Sequence, residues 1–147
     1  MKKTVFFLAS TLLLSQMLLA EEPKIIQKEL PLTQMQKQNK TIVKMAAEGL
    51  NENLPQKVDD YTTLTQVEAK DETLIYVFEI NTGAKSDEAV QKEDRTRMQK
   101  AVTNGICHSS KRFLDAHINI AYIYRSAKSK KELFRFDIKR EDCEYFD

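Results

Sequence analysis

The sequence predicts an α+β fold in the order α-β-β-α-β-β, with a four-stranded antiparallel sheet covered by two helices and one disulfide. Three observations predict it. Two segments place apolar residues at helical spacing, four segments alternate apolar with polar residues as strands do, and both cysteines lie in the last third of the chain. Because the strands fall into two pairs separated by a helix, we expect two hairpins joined in one sheet.

The N-terminus has the three parts of a signal peptide. Lys2 and Lys3 precede an apolar run over residues 5–14, and Ala20 offers a small residue at the cleavage position. The run is shorter than the about 20 apolar residues of a membrane span, although an uncleaved N-terminal anchor is the alternative. No cysteine lies near the cleavage position, so a lipid anchor is not expected. The predicted organisation is a signal peptide over residues 1–20, an extended or partly mobile lead-in over residues 21–39, and a single α+β domain over residues 40–147.

Cleavage after residue 20 would remove two lysines and leave 21 basic residues against 22 acidic ones. A nearly neutral chain has no electrostatic attraction to nucleic acid, and export separates a protein from most of it. The remaining 127 residues suit one domain with a single core. We therefore expect a periplasmic or secreted protein with no nucleic-acid partner and no stable membrane span after cleavage.

The first half of the predicted domain contains one helix and two strands. Apolar residues at four-residue spacing indicate a helix from Met35 to about Asn53, and Pro55 ends it. Alternation over residues 61–67 predicts a half-buried strand. The run LIYVFEI, residues 74–80, is apolar on both faces near its start, which indicates an internal strand.

The second half contains a helix and a hairpin. Ser86 is suited to cap a helix whose first turn is acidic and which continues, with a local break, to about Asp115. Alternating residues over 118–124 and 134–138 predict two strands. The segment SAKSKKE between them predicts a solvated, lysine-rich hairpin tip.

The stretch GICHSS, residues 105–110, places Cys107 beside His108 and raises the question of a nucleophilic site. Adjacent residues on a helix point about 100° apart, so these neighbours are badly placed to form a nucleophile–base pair. An even number of cysteines in an exported chain indicates a disulfide first. We expect Cys107 to pair with Cys143, which would tie the second helix to the end of the last strand.

No other pattern indicates catalysis or a bound cofactor. His108 and His117 lack the spacing of the common zinc motifs, and the chain's three glycines form no phosphate-binding loop. Carboxylate pairs occur throughout so charged a chain, so none of them marks a site. We therefore expect no enzyme activity, no metal and no cofactor, and a catalytic role for Cys107 and His108 remains the enzymatic alternative.

Aromatic residues and loop lysines are the candidate partner-binding groups. Aromatic side chains on three strands predict either cross-strand packing in the core or a sheet face that receives a peptide or another subunit. The loop lysines indicate either a solvated tip or a charged contact. The candidates are Tyr76, Phe78, Tyr122, Tyr124, Lys128, Lys130 and Lys131.

Several short motifs occur together: LPQKVDDYTTL, LIYVFEI, a cysteine after a helix, AYIYR, and a final strand followed by DC. In this order the chain resembles a widespread group of small exported bacterial proteins that carry LP-x-x-VD…T-x-L, Tyr-x-Tyr-like strands and two cysteines. The resemblance covers roughly residues 40–143, with Tyr76-Val77-Phe78 in place of Tyr-x-Tyr. It implies the fold and export, and it implies no catalytic residues because the group has no established activity.

These patterns favour a non-enzymatic exported binding or accessory protein of the bacterial cell envelope, with a role in assembly or secretion and a protein partner. The alternative is an inhibitor or immunity protein that acts on an exported hydrolase through the loop at residues 126–132.

Overall fold

A five-stranded mixed sheet with helices packed on one face forms the core. The computed structural model describes residues 31–144. The strands lie in the order β1-β2-β3-β4-β5 across the sheet. The elements are α1 (Leu32–Asn51), β1 (Gln56–Lys57), β2 (Thr62–Lys70), β3 (Thr73–Ile80), α2 (Asp87–Ser109), α3 (Lys111–Asp115), β4 (Asn119–Ser126), β5 (Glu132–Ile138) and a 3₁₀ turn at Arg140–Asp142.

The centre of the sheet differs from the prediction. β3 and β4 run parallel, with Thr73 opposite Asn119 and Ile80 opposite Ser126. The prediction of a four-stranded, fully antiparallel sheet is therefore wrong. A crossover helix such as α2 returns the chain to the end at which the preceding strand began, which makes the next strand parallel to it. The fifth strand, β1, pairs only two residues with β2, too few for an alternating pattern to reveal it.

The first helix begins earlier than its pattern predicted. α1 starts at Leu32 and Pro31 precedes it, a position that proline tolerates because the first amide groups of a helix have no intrahelical acceptor. Residues 32–34, which precede the predicted helix, are thus helical, and the lead-in assigned to residues 21–39 is not extended over its last eight residues. Asn39 is buried. The predicted signal peptide and the rest of the lead-in, residues 1–30, lie outside the described residues. Within residues 31–144, no helix is long and apolar enough to cross a membrane.

The two long helices, α1 and α2, pack on the same face of the sheet. α1 contacts β2 and β3, whereas α2 contacts β5 and, to a smaller extent, β4. The main core lies beneath them and includes Val43, Ala47, Leu74, Phe78, Ile106, Ile120, Phe134 and Phe136. A second buried cluster, Ile75, Val77, Ala121 and Ile123, lies on the opposite face of the two central strands. Apolar residues on both faces are expected of strands at the centre of a sheet.

Two asparagines attach α1 to the sheet. The Asn39 amide donates to Ala116 O at 2.9 Å and to Glu72 Oε1 at 3.2 Å. The Asn51 side chain bonds to β2 as the backbone of a neighbouring strand would. Its Nδ2 donates to Val67 O at 2.6 Å, and its Oδ1 accepts from Val67 N at 3.0 Å. The backbone N–H and C=O groups of Val67 therefore have hydrogen-bond partners, although the short β1 does not extend to this part of β2.

We expect Asn51→Ala to lower the free energy of unfolding by about 1–3 kcal/mol, because it removes both partners of a buried residue's backbone groups. Urea denaturation measures the change. Asn53→Ala, at an exposed position two residues further on, is the control and should stay within about 0.5 kcal/mol of the parent. Equal losses in the two variants would show that the Asn51 amide does not anchor the helix.

The predicted disulfide is confirmed. Cys107 and Cys143 are bonded, with 5.5 Å between their Cα atoms and a sequence separation of 36. The bond joins the last turn of α2 to the residue that follows the 3₁₀ turn after β5. It therefore fixes α2 against the strand that the helix covers.

Candidate partner-binding groove

A groove opens on the helix-bearing face of the sheet, between α2 and the loop that joins β1 to β2. α1 and α2 cover different strands, so the sheet surface between them remains accessible. The cavity there has a volume of about 490 Å³. Its lining residues are Val58, Asp59, Thr62, Leu64, Tyr76, Phe78, Ile80, Met98, Ala101, Val102, Tyr122 and Tyr124.

The groove continues along α2 into a second cavity of about 450 Å³. Both cavities are bordered by Ala101, Val102, Tyr122 and Tyr124. The second one adds Gly105, where a Cβ would meet no atom within 4 Å. Small residues one turn apart, Ala101 and Gly105, therefore keep the helix side of the groove open. From Met98 to Ser109 the groove follows α2 for about 16 Å, at 1.5 Å per residue.

The floor of the groove is aromatic. Phe78 stacks on Tyr124, with ring centroids 4.9 Å apart and planes at 17°, and Tyr122 lies 4.9 Å from Phe78 and 5.2 Å from Tyr76. The parallel register brings these rings together, since it sets Tyr76 opposite Tyr122 and Phe78 opposite Tyr124. Phe78 and Tyr124 are buried, whereas Tyr76 and Tyr122 are half-buried. The same aromatic row therefore serves the core and lines the groove.

The phenols of the floor remain protonated at neutral pH. Burial, reinforced by the neighbouring Tyr122, raises the pKa of Tyr76 to about 12. Burial also raises the pKa of Tyr122. These hydroxyl groups can therefore donate hydrogen bonds to a bound chain while the rings contact its apolar groups.

One charged residue, Asp59, stands at the rim on the β1–β2 loop. Its Oδ1 accepts hydrogen bonds from the backbone amides of Tyr61 and Thr62, each at 2.8 Å. These bonds, led by the one from Tyr61, lower the pKa of the Asp59 carboxyl, so it is ionised at neutral pH. The same loop exposes two large apolar side chains, Val58 at 57% and Tyr61 at 68%. The rim thus combines an apolar surface with a fixed negative charge.

The loop lysines lie outside the groove. Lys130 pairs with Glu79 at 2.8 Å, while Lys128 and Lys131 are exposed and line neither cavity of the groove. The loop itself is attached to the domain: Ser129 Oγ donates to Asp87 Oδ2 at 2.6 Å, at the start of α2. The structure therefore brings the four candidate aromatic residues together and places the three candidate lysines outside their site.

Within residues 105–110, Cys107 and His108 contribute to a separate, smaller cavity. It has a volume of about 320 Å³ and is lined by Asn104, Cys107, His108, Asp142 and Glu144. The sulfur of Cys107 is committed to the disulfide, and His108 is exposed. His117 is exposed at the start of β4. Among the described residues there is no group of three or more histidine, cysteine and acidic side chains that could hold a metal ion.

Sequence reasoning missed the rim and the helix side of the groove. Asp59 was visible only as part of a short motif, and Met98, Ala101 and Gly105 appeared as ordinary helix residues. The available signal was weak: two small residues four positions apart, on a helix followed by a strand with two tyrosines on one face. That pattern becomes a groove only when the sheet order is known.

Comparison with known proteins gives a family and a fold. The family described as Domain of unknown function (DUF8479) matches residues 37–134. No curated protein is similar enough to the chain to count as a match.

Three solved structures are similar to this one. A protein from Pseudomonas aeruginosa that is described as secreted has a TM-score of 0.67 and 9% identity, over 78% of this chain and 99% of that one. The type 2 secretion system pilotin EpsS from Vibrio vulnificus has a TM-score of 0.63 and 13% identity, over 76% and 97%. The type II secretion system pilotin AspS from Vibrio cholerae has a TM-score of 0.58 and 21% identity, over 76% and 97%. At these identities the likeness establishes a shared fold.

Proposed function

The chain belongs to the family described as Domain of unknown function (DUF8479), and we propose that it is a non-enzymatic, exported accessory protein whose groove binds an apolar segment of a protein partner in the bacterial cell envelope. The partner segment lies along α2 and contacts the aromatic floor. The biological setting of the proposal is the assembly of an envelope complex or secretion through it.

The groove is the observation that carries this proposal. It presents half-buried Tyr76 and Tyr122 beside the exposed Val58, on a loop whose Tyr61 is also exposed. Aromatic residues are enriched in the cores of protein interfaces, and contiguous exposed apolar surface marks a place where a partner binds. The groove is open along its length, which suits an extended or helical chain segment better than an enclosed small molecule.

Three further observations support the cellular setting. The fold is shared with two type II secretion pilotins and with a protein described as secreted. The Cys107–Cys143 disulfide suits an oxidising compartment such as the periplasm or the cell exterior. The N-terminal sequence adds the pattern of a cleaved signal peptide.

The proposal does not extend to hydrolase inhibition. An inhibitory role was expected to use a protruding loop at residues 126–132. In the structure the loop is attached to the rest of the domain by three contacts. They are the Ser129–Asp87 hydrogen bond, the Lys130–Glu79 ion pair and a backbone hydrogen bond from Ala127 N to Ile80 O at 2.8 Å. A catalytic role for Cys107 is likewise not proposed, because the disulfide occupies its sulfur.

Gly105→Leu should abolish partner binding while leaving the fold intact. The new side chain would project into the second cavity of the groove, where a Cβ meets nothing within 4 Å. Replacing a helical glycine by leucine also favours the helix by about 0.5–1 kcal/mol, so the variant should be at least as stable as the parent. Co-purification from cross-linked envelope extracts measures binding, and thermal denaturation measures stability.

Gly49→Leu is the matched control. Gly49 is also helical, a Cβ there also meets nothing within 4 Å, and it lies on α1, away from both cavities. We expect a partner that co-purifies with the parent and with Gly49→Leu and is lost from Gly105→Leu. A partner retained equally by both variants would rule out the groove as its binding site, and recovery of an exported hydrolase in place of an assembly or secretion component would favour inhibition.

A further inference from the structure

We propose that the groove selects a partner segment in which a lysine or arginine side chain accompanies the apolar residues, and that the Asp59 carboxylate binds this cation. The inference rests on the proposed function and specifies the chemistry of the segment that the groove receives. Asp59 would then act as the specificity-determining residue, while the aromatic floor supplies most of the contact area.

The distribution of charge in the groove is the first step. Among the residues that line its two cavities, Asp59 alone is charged, and the others are apolar, aromatic or neutral polar. Asp59 is exposed, and the nearby Lys57 also acts on it electrostatically while paired with Asp60. A purely apolar segment that covers Asp59 would take the carboxylate out of water without supplying a cation of its own. Burying a charge without a partner is unfavourable, so such a segment is rejected in favour of one that brings a cation.

The carboxylate is positioned before any partner arrives. Two backbone amides of its own loop hold Oδ1, and these bonds lower the pKa of Asp59, so the group is both fixed and ionised. The cation nearest in sequence, Lys57, makes its ion pair with Asp60 at 2.9 Å. A carboxylate has about four lone-pair positions, so two accepted amide bonds leave capacity for a guanidinium or ammonium group.

The aromatic floor extends the cation site. Burial raises the pKa of the Tyr124 phenol, and the negative charge of Asp59 acts on it in the same direction. Asp59 and the floor residues line the same cavity, so a partner side chain beside the carboxylate would also lie against the floor. Cations bind favourably over the faces of tyrosine rings, and the long stem of lysine or arginine packs against apolar surface. The groove thus offers both parts of such a side chain a contact.

The charge can be removed without disturbing the loop. In Asp59→Asn the amide oxygen can still accept the hydrogen bonds from Tyr61 N and Thr62 N, while the negative charge is lost. Glu52→Gln is the matched control, because it changes the net charge equally at an exposed residue that lines neither cavity of the groove and leaves the Lys57–Asp60 ion pair in place. Gly105→Leu serves as the groove-blocked reference.

The test selects random short peptides displayed on phage against the exported full chain and the three variants. We expect the parent and Glu52→Gln to enrich peptides that combine apolar residues with lysine or arginine. Asp59→Asn should enrich apolar peptides without the basic residue, and Gly105→Leu should enrich neither. A synthetic peptide from the parent selection should bind Asp59→Asn about two- to fivefold more weakly, and this difference should shrink as salt is added.

The outcomes separate the two proposals. Peptides that are apolar, sensitive to Gly105→Leu and without basic residues would overturn the role of Asp59 and leave the groove as the binding site. The same basic enrichment on Asp59→Asn as on the parent would also overturn it. Absence of any peptide sensitive to Gly105→Leu would overturn the proposed function and the selectivity together.

Discussion

Replacing both cysteines by serine should lower the free energy of unfolding by about 4 kcal/mol and the thermal midpoint by roughly 10–20 °C. The disulfide closes a loop with a sequence separation of 36 residues. Without it, the unfolded chain gains the conformational entropy that the loop had removed, and the last turn of α2 loses its covalent link to the end of β5. Thermal denaturation of Cys107→Ser/Cys143→Ser beside the parent, under non-reducing conditions, measures the effect.

Reductant supplies the internal control for this experiment. Adding it should lower the midpoint of the parent to that of the double variant, whose own midpoint should not move. If the parent and the double variant unfold at the same temperature without reductant, the bond does not stabilise the domain. The loss also bears on the groove, because Gly105 and Ser109 flank Cys107 and line the second cavity. We therefore expect weaker partner binding in the double variant at temperatures where it is still folded.

Phe78→Ala should cost about 3–5 kcal/mol of stability, because it leaves a cavity in the centre of the sheet. Phe78 is 6% exposed and belongs to the main core, and its ring contacts both Tyr122 and Tyr124. Loss of these aromatic contacts adds to the lost burial. Urea denaturation of the variant, with the slope of the transition compared with that of the parent, measures the cost.

Tyr61→Ala is the control for this prediction. Tyr61 is also aromatic and lies near the groove, but it is 68% exposed, so the substitution should change stability by no more than about 0.5 kcal/mol. Phe78→Leu should fall between the two because it retains part of the buried volume. A cost below about 1 kcal/mol for Phe78→Ala would mean that the aromatic floor contributes to binding alone and not to the core.

The sequence predicted the local elements well because their signals are local. β3 was evident from a run that is apolar on both faces, and it occupies the centre of the sheet. Ser86 caps α2 as expected, since its hydroxyl accepts from Ala89 N at 3.2 Å. The signal-peptide pattern, which predicts an oxidising compartment, and the even number of cysteines together predicted the Cys107–Cys143 bond.

The register of β2 shows where local reasoning failed. Simple alternation placed Thr63, Thr65 and Val67 on one face. A bulge between Leu64 and Gln66 shifts the register, so that Leu64 and Val67 both join the main core. The hydroxyl of Thr65, the extra residue, donates to Val77 O at 3.1 Å. No pattern within β2 announces a bulge, because its position depends on the partner strand.

The groove could not be predicted from the sequence for a related reason. The aromatic residues were correctly placed on the strands, but whether they would be covered depended on where α2 crosses the sheet, and the antiparallel prediction gave the wrong direction for the central pair of strands. The parallel pairing of β3 with β4 sets Tyr76 beside Tyr122. Asp59 lines the groove only because the fold brings its loop to the rim opposite α2.

The parallel pair at the centre of the sheet also limits the order in which the parts of this chain can fold during synthesis. Thr73 and Asn119 are direct neighbours in the sheet although the whole of α2 separates them along the chain. A polypeptide that is synthesised from its N-terminus can form α1 and the β2–β3 hairpin early. The central ladder must wait until residues 119–126 have followed. Until then the edge of β3 that faces β4 has no partner strand, so the two halves of the sheet join only after the second half of the domain is present.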